Sequence, residues 1–333
     1  GSETARLLCN DKEALAKQAG VSLNLVVVSA RSEKDRGFAM DGISFVPDAA
    51  HLADIDDVDI VIELIGGSEG VALDLCRSAL NRGKHVVTAN KAMIAHHGHE
   101  LAICAEEHNA QLSFEAAVAG GIPAIKLLRE GLAANKIEQV TGILNGTCNY
   151  ILSEMEETKS GFLNVLKKAQ LLGYAEPGNP ILDLNGYDAL AKVKILSALA
   201  FNNKVSNSKC LMEGIENIEY KDLEIANQLN YKIKLLGITE IVNNKLFERV
   251  HPCLIKKNTY IANVNGVMNA VIIEGNPVGE SVLQGEGAGP GPTSSALMSD
   301  LLSILRGNIK YPFGISDNKR KSPSIYNTDN YSN

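Results

Sequence analysis

The sequence lacks the long apolar run, of about 20 residues, that a membrane-spanning helix needs. It also lacks a basic segment followed by an apolar one at its start, so we expect no signal peptide. Its six cysteines, at positions 9, 76, 104, 148, 210 and 253, include no C-x-x-C pair. Isolated thiols of this kind are typical of a reducing compartment, whereas small secreted proteins pair theirs. We therefore expect a cytoplasmic protein that does not associate with a membrane.

The sequence also has fewer basic than acidic residues, with 32 Lys and Arg against 39 Asp and Glu and a net charge of −7. A surface that attracts nucleic acid or an anionic membrane needs a basic excess, so we expect neither partner. The remaining composition is ordinary for a globular protein, with 45% hydrophobic and 21% charged residues. A length of 333 residues exceeds one ordinary domain and predicts two.

The first 120 residues alternate apolar strands with amphipathic helices. Helices are predicted at 3–18, 71–83 and 98–109, and strands within SLNLVVVSAR (22–31) and at 58–67, 84–91 and 111–121. Continuous apolar runs suit strands that are buried on both faces of a parallel sheet, and the alternation predicts right-handed βαβ units. This pattern is typical of the α/β class, as a doubly wound, Rossmann-type NAD(P)-binding domain.

After about residue 120 the pattern changes to that of an α+β domain. Long helices are predicted at 151–172 and 187–202, mixed segments at 211–283 with a strand at 271–275, and a final helix at 294–307. We predict an NAD(P)-binding domain at 1–118 that is completed by 286–310, and a substrate-binding and dimerisation domain at 119–285. The polar residues 311–333 are predicted to form a linker or tail.

The glycine turn that opens most dinucleotide-binding domains is not complete here. Such a domain begins with a strand, a G-x-G-x-x-G turn and a helix whose N-terminus holds the pyrophosphate. In this sequence GSET directly precedes the first predicted helix, so the first strand and most of the turn are missing. Gly1 is either the last glycine of that turn or, with Ser2, an addition made in cloning. We expect a chain that is cut at its N-terminus, with weakened cofactor binding.

Residues at three other predicted strand ends are candidates for contact with a cofactor. Arg31 ends the segment 22–31, which would be the second strand of such a domain. Arginine at this position suits the 2′-phosphate of NADP, and a solvated loop arginine is the alternative. Gly66, Gly67 and Ser68 end the next strand, and glycine lets a ligand approach the backbone closely. Thr88 and Lys91 follow the strand after that, at the rim of the usual ligand crevice. Each of these last two strand ends, taken alone, is more often a feature of a turn than a binding site.

The stretch from residue 169 to 201 carries the strongest chemical pattern. Glu176, Asp183, Asp188 and Lys192 fall within 17 positions. Asp188 and Lys192 are four apart on a predicted helix and therefore share one face. An acid–lysine pair on a mostly apolar helix is costly unless its members are paired or used in catalysis. The alternative is an ordinary surface ion pair.

The same stretch resembles the signature of the homoserine dehydrogenase family, on Ala169, Gly173-Tyr174, Asn179-Pro180, Asp183-Leu184, Gly186, Asp188 and Lys192. Four further segments are similar to motifs of that family, in its order: TANKAMIA (88–95), FEAAVAGGIPAIK (114–126), ILNGTCNYIL (143–152) and GEGAGPGPTSSALMSDLL (285–302). The resemblance runs from about residue 3 to 313. It departs from the family at the missing glycine turn and at Pro-Gly-Asn-Pro (177–180), where many members have Ala-Asp-Pro.

The resemblance implies an NAD(P)-dependent oxidoreductase that interconverts L-aspartate 4-semialdehyde and L-homoserine, in threonine and methionine biosynthesis. It implies Lys192 as the acid/base or proton-relay group, Asp188 as its orienting partner, and Lys91 beside the nicotinamide. Substrate contacts would come from Glu176, Asp183, Tyr174, Asn145, Gly146 and Thr147. Cofactor contacts would come from Gly1, Arg31, Gly66, Gly67, Ser68, Thr88, Lys91 and Gly287, with NADP or NAD as the cofactor and a weak preference for NADP.

The resemblance also implies a monovalent cation, such as sodium, and a homodimer formed through the second domain. The cation would be held by the Glu115 carboxylate and by main-chain oxygens of Val118, Gly120 and Ile122, since hard cations take oxygen ligands. Some members carry an ACT-type regulatory domain. This sequence ends about where such a domain would begin, so we expect a short form or a fragment.

Two alternatives remain open from the residues alone. One is another amino-acid dehydrogenase of similar build, and the other is a Rossmann-type binding protein that does not catalyse a reaction. A zinc site at His96, His97 and His99 is disfavoured, because no partner with zinc-like spacing is present. We expect these histidines in a polar loop or at a helix start.

Overall fold

The structure, a computed structural model, describes residues 1–32, 37–178, 180–308 and 311–326, so Asn179 lies outside the described residues. The chain divides into two units. Unit 1 comprises Gly1–Gly121 and Gly289–Lys321, and unit 2 comprises Ile122–Ala288 with residues 322–326. Among the described residues, no helix combines the length and the apolar character that crossing a membrane requires.

Unit 1 has the alternating α/β order that the sequence predicts. Its elements before unit 2 are α1 (Ser2–Asn10), α2 (Lys12–Ala19), β1 (Val27–Ser29), β2 (Ser44–Val46), β3 (Ile60–Glu63), α3 (Val71–Asn81), β4 (His85–Thr88), α4 (Lys91–Glu107) and β5 (Leu112–Ser113). β1 and β2 form a parallel pair, and β3, β4 and β5 form a parallel sheet in that order. Because Glu63 pairs with Thr88, the carboxyl ends of β3 and β4 lie side by side.

Two helix boundaries in unit 1 differ from the sequence prediction. The predicted helix at 3–18 is two helices that meet at Asp11. Asp11 caps the end of α1, where its N–H donates to the Leu7 main-chain oxygen, and it is also the N-cap of α2. The helix predicted at 98–109 begins at Lys91, because the Asn90 side chain caps it by accepting from the N–H of Met93 at 3.0 Å. The three histidines at 96, 97 and 99 therefore lie within α4, well past its start.

The predicted strand at 111–121 is much shorter than expected. β5 ends at Ser113, and a 3-10 turn follows at Glu115–Ala117. Ala119 and Gly120 then adopt left-handed φ values of 56° and 53°. Two successive residues of this kind turn the backbone sharply, so the segment continues as a turn.

Unit 2 is built on one six-stranded sheet with helices, which confirms the predicted α+β domain. Its elements are α5 (Ala124–Lys126), β6 (Lys136–Ile143), α6 (Gly146–Thr158), α7 (Phe162–Leu171), α8 (Ile181–Leu184), α9 (Tyr187–Ala200), β7 (Leu211–Met212), α10 (Tyr220–Gln228), β8 (Tyr231–Val242), β9 (Lys245–Lys256), β10 (Met268–Asn276) and β11 (Gly279–Glu286). The strand order is β11-β10-β6-β8-β9-β7. The predicted helix at 151–172 is α6 and α7, which are separated by left-handed Lys159.

The final helix returns the chain to unit 1. α11 (Pro290–Leu305) buries Leu297, Leu301 and Ile304 in one cluster with Val87 of β4. Burying each such side chain contributes about 1.5–3 kcal/mol to folding. α11 is therefore part of the structure that supports β4.

The described part of the predicted tail is packed, so the prediction of a linker or frayed end is wrong for residues 311–326. Phe313 is 1% exposed and its ring lies 4.9 Å from that of Phe114. The Arg320 guanidinium lies over the Phe313 ring at 4.0 Å and donates to Asp317 at 2.7 Å. In unit 2, Tyr326 donates its N–H to the Leu246 carbonyl. The aromatic residues anchor this segment, although most of its residues are polar.

Candidate active site

Asn145 joins two carboxylates at the start of α6. Its side-chain oxygen accepts from the N–H of Cys148 at 2.8 Å, as an N-cap does. Its side-chain nitrogen donates to Asp183 Oδ1 and to Asp188 Oδ2, both at 2.9 Å. One amide therefore sets the spacing between two carboxylates that come from α8 and α9.

Lys192 completes this cluster from the second turn of α9. Its Nζ donates to Asp188 Oδ2 at 2.8 Å and to the main-chain oxygen of Leu144 at 2.6 Å. Both side chains of the ion pair are only 10% exposed. The pair is therefore not the ordinary surface ion pair that spacing alone would also have allowed.

The sequence of α9 explains where the pair sits. Gly186 has a φ of 87°, which lets the chain turn sharply before the helix. Asp188 then falls in the first turn, where a negative charge is favoured by the helix dipole. Ala189, Val193 and Leu196 bury the apolar faces of the helix. The turn and the apolar faces together hold Asp188 and Lys192 toward the start of α6.

The other predicted substrate residues differ in their exposure and in their contacts. Thr147 donates its hydroxyl to the Tyr174 main-chain oxygen at 2.6 Å. Tyr174 is 42% exposed, and its ring lies 4.9 Å from that of Tyr150. Glu176 is exposed, and its main-chain oxygen accepts from Gln170. Glu176 thus lies on the exposed loop before α8, whereas Asn145 joins Asp183 and Asp188.

Position 146 has to be a glycine, because the main chain of another segment approaches it closely. A Cβ placed on it would lie 2.6 Å from the main-chain oxygen of Val267. That oxygen belongs to the loop 264–268, which runs from the turn after β9 into the start of β10. The start of α6 is thus packed directly on this loop.

Cys148 lies inside the cluster but is not suited to act as a nucleophile. The residue is fully buried, and its thiol donates to the Asp183 main-chain oxygen at 3.3 Å. Burial, with a smaller contribution from Asp183 and Asp188, raises its pKa well above the ordinary value. The side chain therefore stays a neutral thiol that packs beneath the carboxylates.

In unit 1, a buried glutamate holds the glycine turn that follows β3. Glu63 is 1% exposed, and its Oε1 accepts from the N–H groups of Ile65 and Gly66 at 2.6 and 3.0 Å. Its Oε2 accepts from the Thr88 hydroxyl at 2.5 Å. Gly66 and Gly67 both have a φ of 85°, and a Cβ on Gly66 would meet nothing within 4 Å. This open glycine turn leaves room for a ligand against the backbone.

Our sequence reasoning missed Glu63. The available signal was one acidic residue inside the otherwise apolar strand VDIVIELIGG (58–67). An acidic side chain in such a strand is buried only when hydrogen bonds satisfy it. Its position at the end of β3 could therefore have marked it as the group that shapes the turn.

Thr88, Asn90 and Lys91 form the neighbouring strand end. Thr88 accepts from the Asn90 N–H at 2.9 Å, and the Asn90 side chain donates to the Gly67 main-chain oxygen at 2.7 Å. The two predicted strand ends are therefore joined into one surface. Lys91 is the first residue of α4 and is partly exposed at this surface.

The remaining predicted cofactor residues are dispersed. Gly1 caps the start of α1, Arg31 is exposed, and Ser68 is half-buried in the turn after Gly67. Gly287 belongs to unit 2, where a Cβ on it would lie 2.0 Å from Asn269 Cγ. Packing against Asn269 thus accounts for a glycine at that position.

The predicted cation ligands fall on both sides of the boundary between the units. Glu115, Val118 and Gly120 lie in unit 1, and Ile122 is the first residue of unit 2. Glu115 is 2% exposed, and its N–H donates to Asp300 at 2.7 Å. The main-chain oxygen of Ile122 accepts from the N–H of Ala124 at 2.8 Å.

Comparison with known proteins covers both units. The family model described as "Homoserine dehydrogenase" matches residues 123–302, and that of "Homoserine dehydrogenase, NAD binding domain" matches residues 1–115. The chain is 45% identical to a homoserine dehydrogenase of Neisseria gonorrhoeae, over 92% of this chain and 70% of that protein. It is 42% identical to one of Pseudomonas aeruginosa, over 94% and 71% respectively.

Solved structures agree with these relatives. A homoserine dehydrogenase from Thiobacillus denitrificans is similar with a TM-score of 0.92 and 40% identity, over 98% of this chain and 77% of that one. A hyperthermophilic archaeal homoserine dehydrogenase in complex with NADPH is similar with a TM-score of 0.73 and 26% identity, over 94% and 96%. The family resemblance in the sequence is confirmed, and the chain belongs to the homoserine dehydrogenase family.

Proposed function

We propose that Lys192 moves the proton in the reaction of this chain, and that Asp188 orients it. The chain is a homoserine dehydrogenase, an oxidoreductase that acts on a CH–OH group with NAD(P). The buried contact of Lys192 with Asp188 and with the Leu144 oxygen carries the proposal. Two acceptors fix the ammonium in place, so that one of its protons is available to a substrate oxygen.

The substrate is bound, in this proposal, by the carboxylates that Asn145 brings together. Homoserine and its aldehyde carry an ammonium group, which an aspartate binds through charge-assisted hydrogen bonds. Asp183 is the candidate for that contact, because Asp188 already holds Lys192. Glu176 is the second candidate, from the exposed loop before α8. Tyr174, Gly146 and Thr147 would line the pocket.

The cofactor is proposed to bind at the carboxyl ends of β3 and β4. The residues fit a dinucleotide, because the turn at Gly66 and Gly67 is open and parallel strands place ligands at this edge. A bound nicotinamide supplies or accepts the hydride. Gly1, Ser68, Thr88 and Lys91 are further candidate contacts, and Gly287 is a weaker one. NADP is favoured over NAD, which rests on Arg31 and on the NADPH complex of the archaeal relative.

We expect oxidation of L-homoserine by this chain, with a higher kcat/KM for NADP than for NAD. The measurement is the absorbance of the reduced cofactor, with L-homoserine, L-aspartate and L-serine compared at fixed protein concentration. Thermal stability with and without NADPH is followed in parallel, because a ligand that binds the folded state raises the melting temperature. Turnover of aspartate in place of homoserine would overturn the substrate assignment. Equal efficiency with NAD would overturn the NADP preference.

A sodium ion is proposed at Glu115, with main-chain oxygens of Val118, Gly120 and Ile122. Support comes from a buried carboxylate and from the two successive left-handed residues Ala119 and Gly120, which redirect the carbonyl groups of this turn. Hard cations prefer such oxygen ligands. Replacing sodium chloride with choline chloride at constant ionic strength should lower the melting temperature, and an unchanged melting temperature would contradict the site.

A cytoplasmic homodimer formed through unit 2 is the proposed assembly. Cys253, Ile255, Met268 and Val282 are only partly buried where they pack on the sheet core of unit 2. A partner that covers them would bury more apolar area. Light scattering should give twice the chain mass of 35.7 kDa, and a single chain mass would contradict the dimer. The six free cysteines support a reducing compartment, which cell fractionation tests.

A further inference from the structure

Lys234 is the most deeply buried lysine of unit 2. It lies on β8 and is 1% exposed. It is not a member of the cluster formed by Asn145, Asp183, Asp188 and Lys192. The four contacts that described residues make with its Nζ all come from oxygen acceptors: Val264 O at 2.6 Å, Asn149 Oδ1 at 2.9 Å, Asn265 Oδ1 at 3.1 Å and Ser153 Oγ at 3.4 Å. Four acceptors around one amine are the surroundings of a charged ammonium group.

The partners of Lys234 belong to two segments. Asn149 and Ser153 lie on α6, whereas Val264 and Asn265 lie in the loop 264–268. The Asn149 side chain also donates to the main-chain oxygens of Val264 and Met268, at 3.1 and 3.0 Å. Ser153 accepts from the Gly266 N–H at 3.3 Å. Lys234, Asn149, Ser153, Val264 and Asn265 therefore form one network, the Lys234 network, which fastens the loop to α6.

This network reaches the active site through the first turn of α6. Asn149 donates its N–H to the Asn145 main-chain oxygen at 3.2 Å. Gly146, beside Asn145, is the residue that packs on the Val267 oxygen of the fastened loop. Asn145 in turn holds both Asp183 and Asp188. The loop therefore limits where the start of α6 can lie relative to the two carboxylates.

We propose that Lys234 is a positioning residue of the homoserine site, which acts by fastening the loop 264–268 and α6 so that Asn145 aligns Asp183 and Asp188. The proposal rests on the proposed function of this cluster. Lys234 does not touch substrate in it. Its effect passes through Asn149, Gly146 and Asn145 to the group that carries the proton.

The charge of Lys234 is suited to this role. Burial, with a smaller contribution from the neighbouring charge of Lys232, lowers its pKa to about 8, while Glu156 acts in the opposite direction. The amine is therefore mostly an ammonium at neutral pH and has three protons to donate. A neutral side chain of similar length would leave the oxygens of Val264 and Asn149 without this donor.

The test compares Lys234→Ala with Lys232→Ala. Lys232 lies two residues away on the same face of β8 and pairs with Glu156 at 3.6 Å. Lys232→Ala therefore controls for the loss of one positive charge from this strand. We expect Lys234→Ala to lower kcat/KM for homoserine by about tenfold or more, the effect of one lost, well-placed hydrogen bond. The KM for NADP should stay unchanged in both variants, and Lys232→Ala should retain the wild-type efficiency.

Propylammonium provides a readout that a merely structural lysine would not give. It replaces the atoms that Lys234→Ala removes, and two partners of the amine, Ser153 and Asn265, line a cleft of about 430 Å³. Millimolar propylammonium should restore part of the homoserine efficiency of Lys234→Ala, with no effect on Lys232→Ala. Butanol, which has a similar size and no charge, should not restore it.

Asn265→Ala keeps the test informative if Lys234→Ala does not fold. Asn265 is exposed, so its truncation removes one partner of Lys234 without opening the core. We expect a smaller loss of homoserine efficiency, again with an unchanged KM for NADP. The positioning role alone would be overturned if folded Lys234→Ala or Asn265→Ala kept the full kcat/KM for homoserine. It would also be overturned if the efficiency with homoserine and the efficiency with NADP fell equally. Absence of homoserine turnover by the wild type would instead overturn the proposed function and this role with it.

Discussion

Replacing Lys192 with methionine should lower kcat for homoserine oxidation by about 100- to 10,000-fold, the range expected for loss of a general acid or base. Methionine nearly preserves the volume but carries no proton. The Leu144 oxygen and the Asp188 carboxylate would both lose the hydrogen bond from Lys192, whereas Asn145 still donates to Asp188. The rate is measured at saturating NADP and homoserine, so that the change is assigned to kcat.

Lys194→Met is the matched control for this substitution. Lys194 lies on the same helix, and its Nζ donates to the Ser208 main-chain oxygen at 3.2 Å, away from the carboxylates. It should retain nearly all of kcat. Lys192→Met leaves a mostly buried aspartate without its cation, which can cost about 3 kcal/mol of folding free energy. The melting temperature with NADPH therefore has to show that the variant is folded at the assay temperature. Normal turnover by folded Lys192→Met would remove the proposed proton role.

Replacing Glu63 with alanine should weaken NADP binding by about tenfold and destabilise unit 1 by about 3 kcal/mol. The carboxylate accepts from two N–H groups of the glycine turn and from the Thr88 hydroxyl. Without it, three donors lose their acceptor and the turn loses the contact that sets its shape. Titration of NADPH against thermal stability measures both effects in one experiment.

Glu69→Ala is the comparison for Glu63→Ala. Glu69 follows the same turn, but it is exposed and pairs with His97 at 2.6 Å. Surface pairs of this kind contribute little to stability. If Glu63→Ala bound NADPH as tightly as Glu69→Ala does, the glycine turn would not be the cofactor surface.

The sequence predicted those parts of the site that are close together along the chain. Asp188 and Lys192 share a helix face because helical periodicity brings residues four apart together, and the structure pairs them as expected. The order of strands and helices in unit 1 followed from the apolar runs in the same local way. Family resemblance then added the identity of the reaction, which no spacing rule contains.

Contacts between distant segments could not be predicted from periodicity. Asn145 meets Asp183 and Asp188 across 38 and 43 positions, and Lys234 meets Asn149 across 85. No local pattern specifies such a meeting, because strand order and loop packing determine it. The packed tail was missed for the same reason, since the partner of Phe313 is Phe114, far away in the chain.

The burial of Lys234 also couples folding to protons. Its pKa falls from 10.5 to about 8 on folding, so the unfolded chain holds a proton that the folded chain releases between those values. The contribution of this one group to stability should therefore rise with pH across this window, by up to about 3 kcal/mol. Buried thiols with raised pKa values, such as Cys148 and Cys253, act in the opposite direction, so chemical unfolding at pH 8 and pH 10 has to compare the wild type with Lys234→Met. The change with pH should be more favourable in the wild type, and an equal change in both proteins would contradict it. A lysine that fastens the site from within thus gives up a proton when the chain folds in mild alkali.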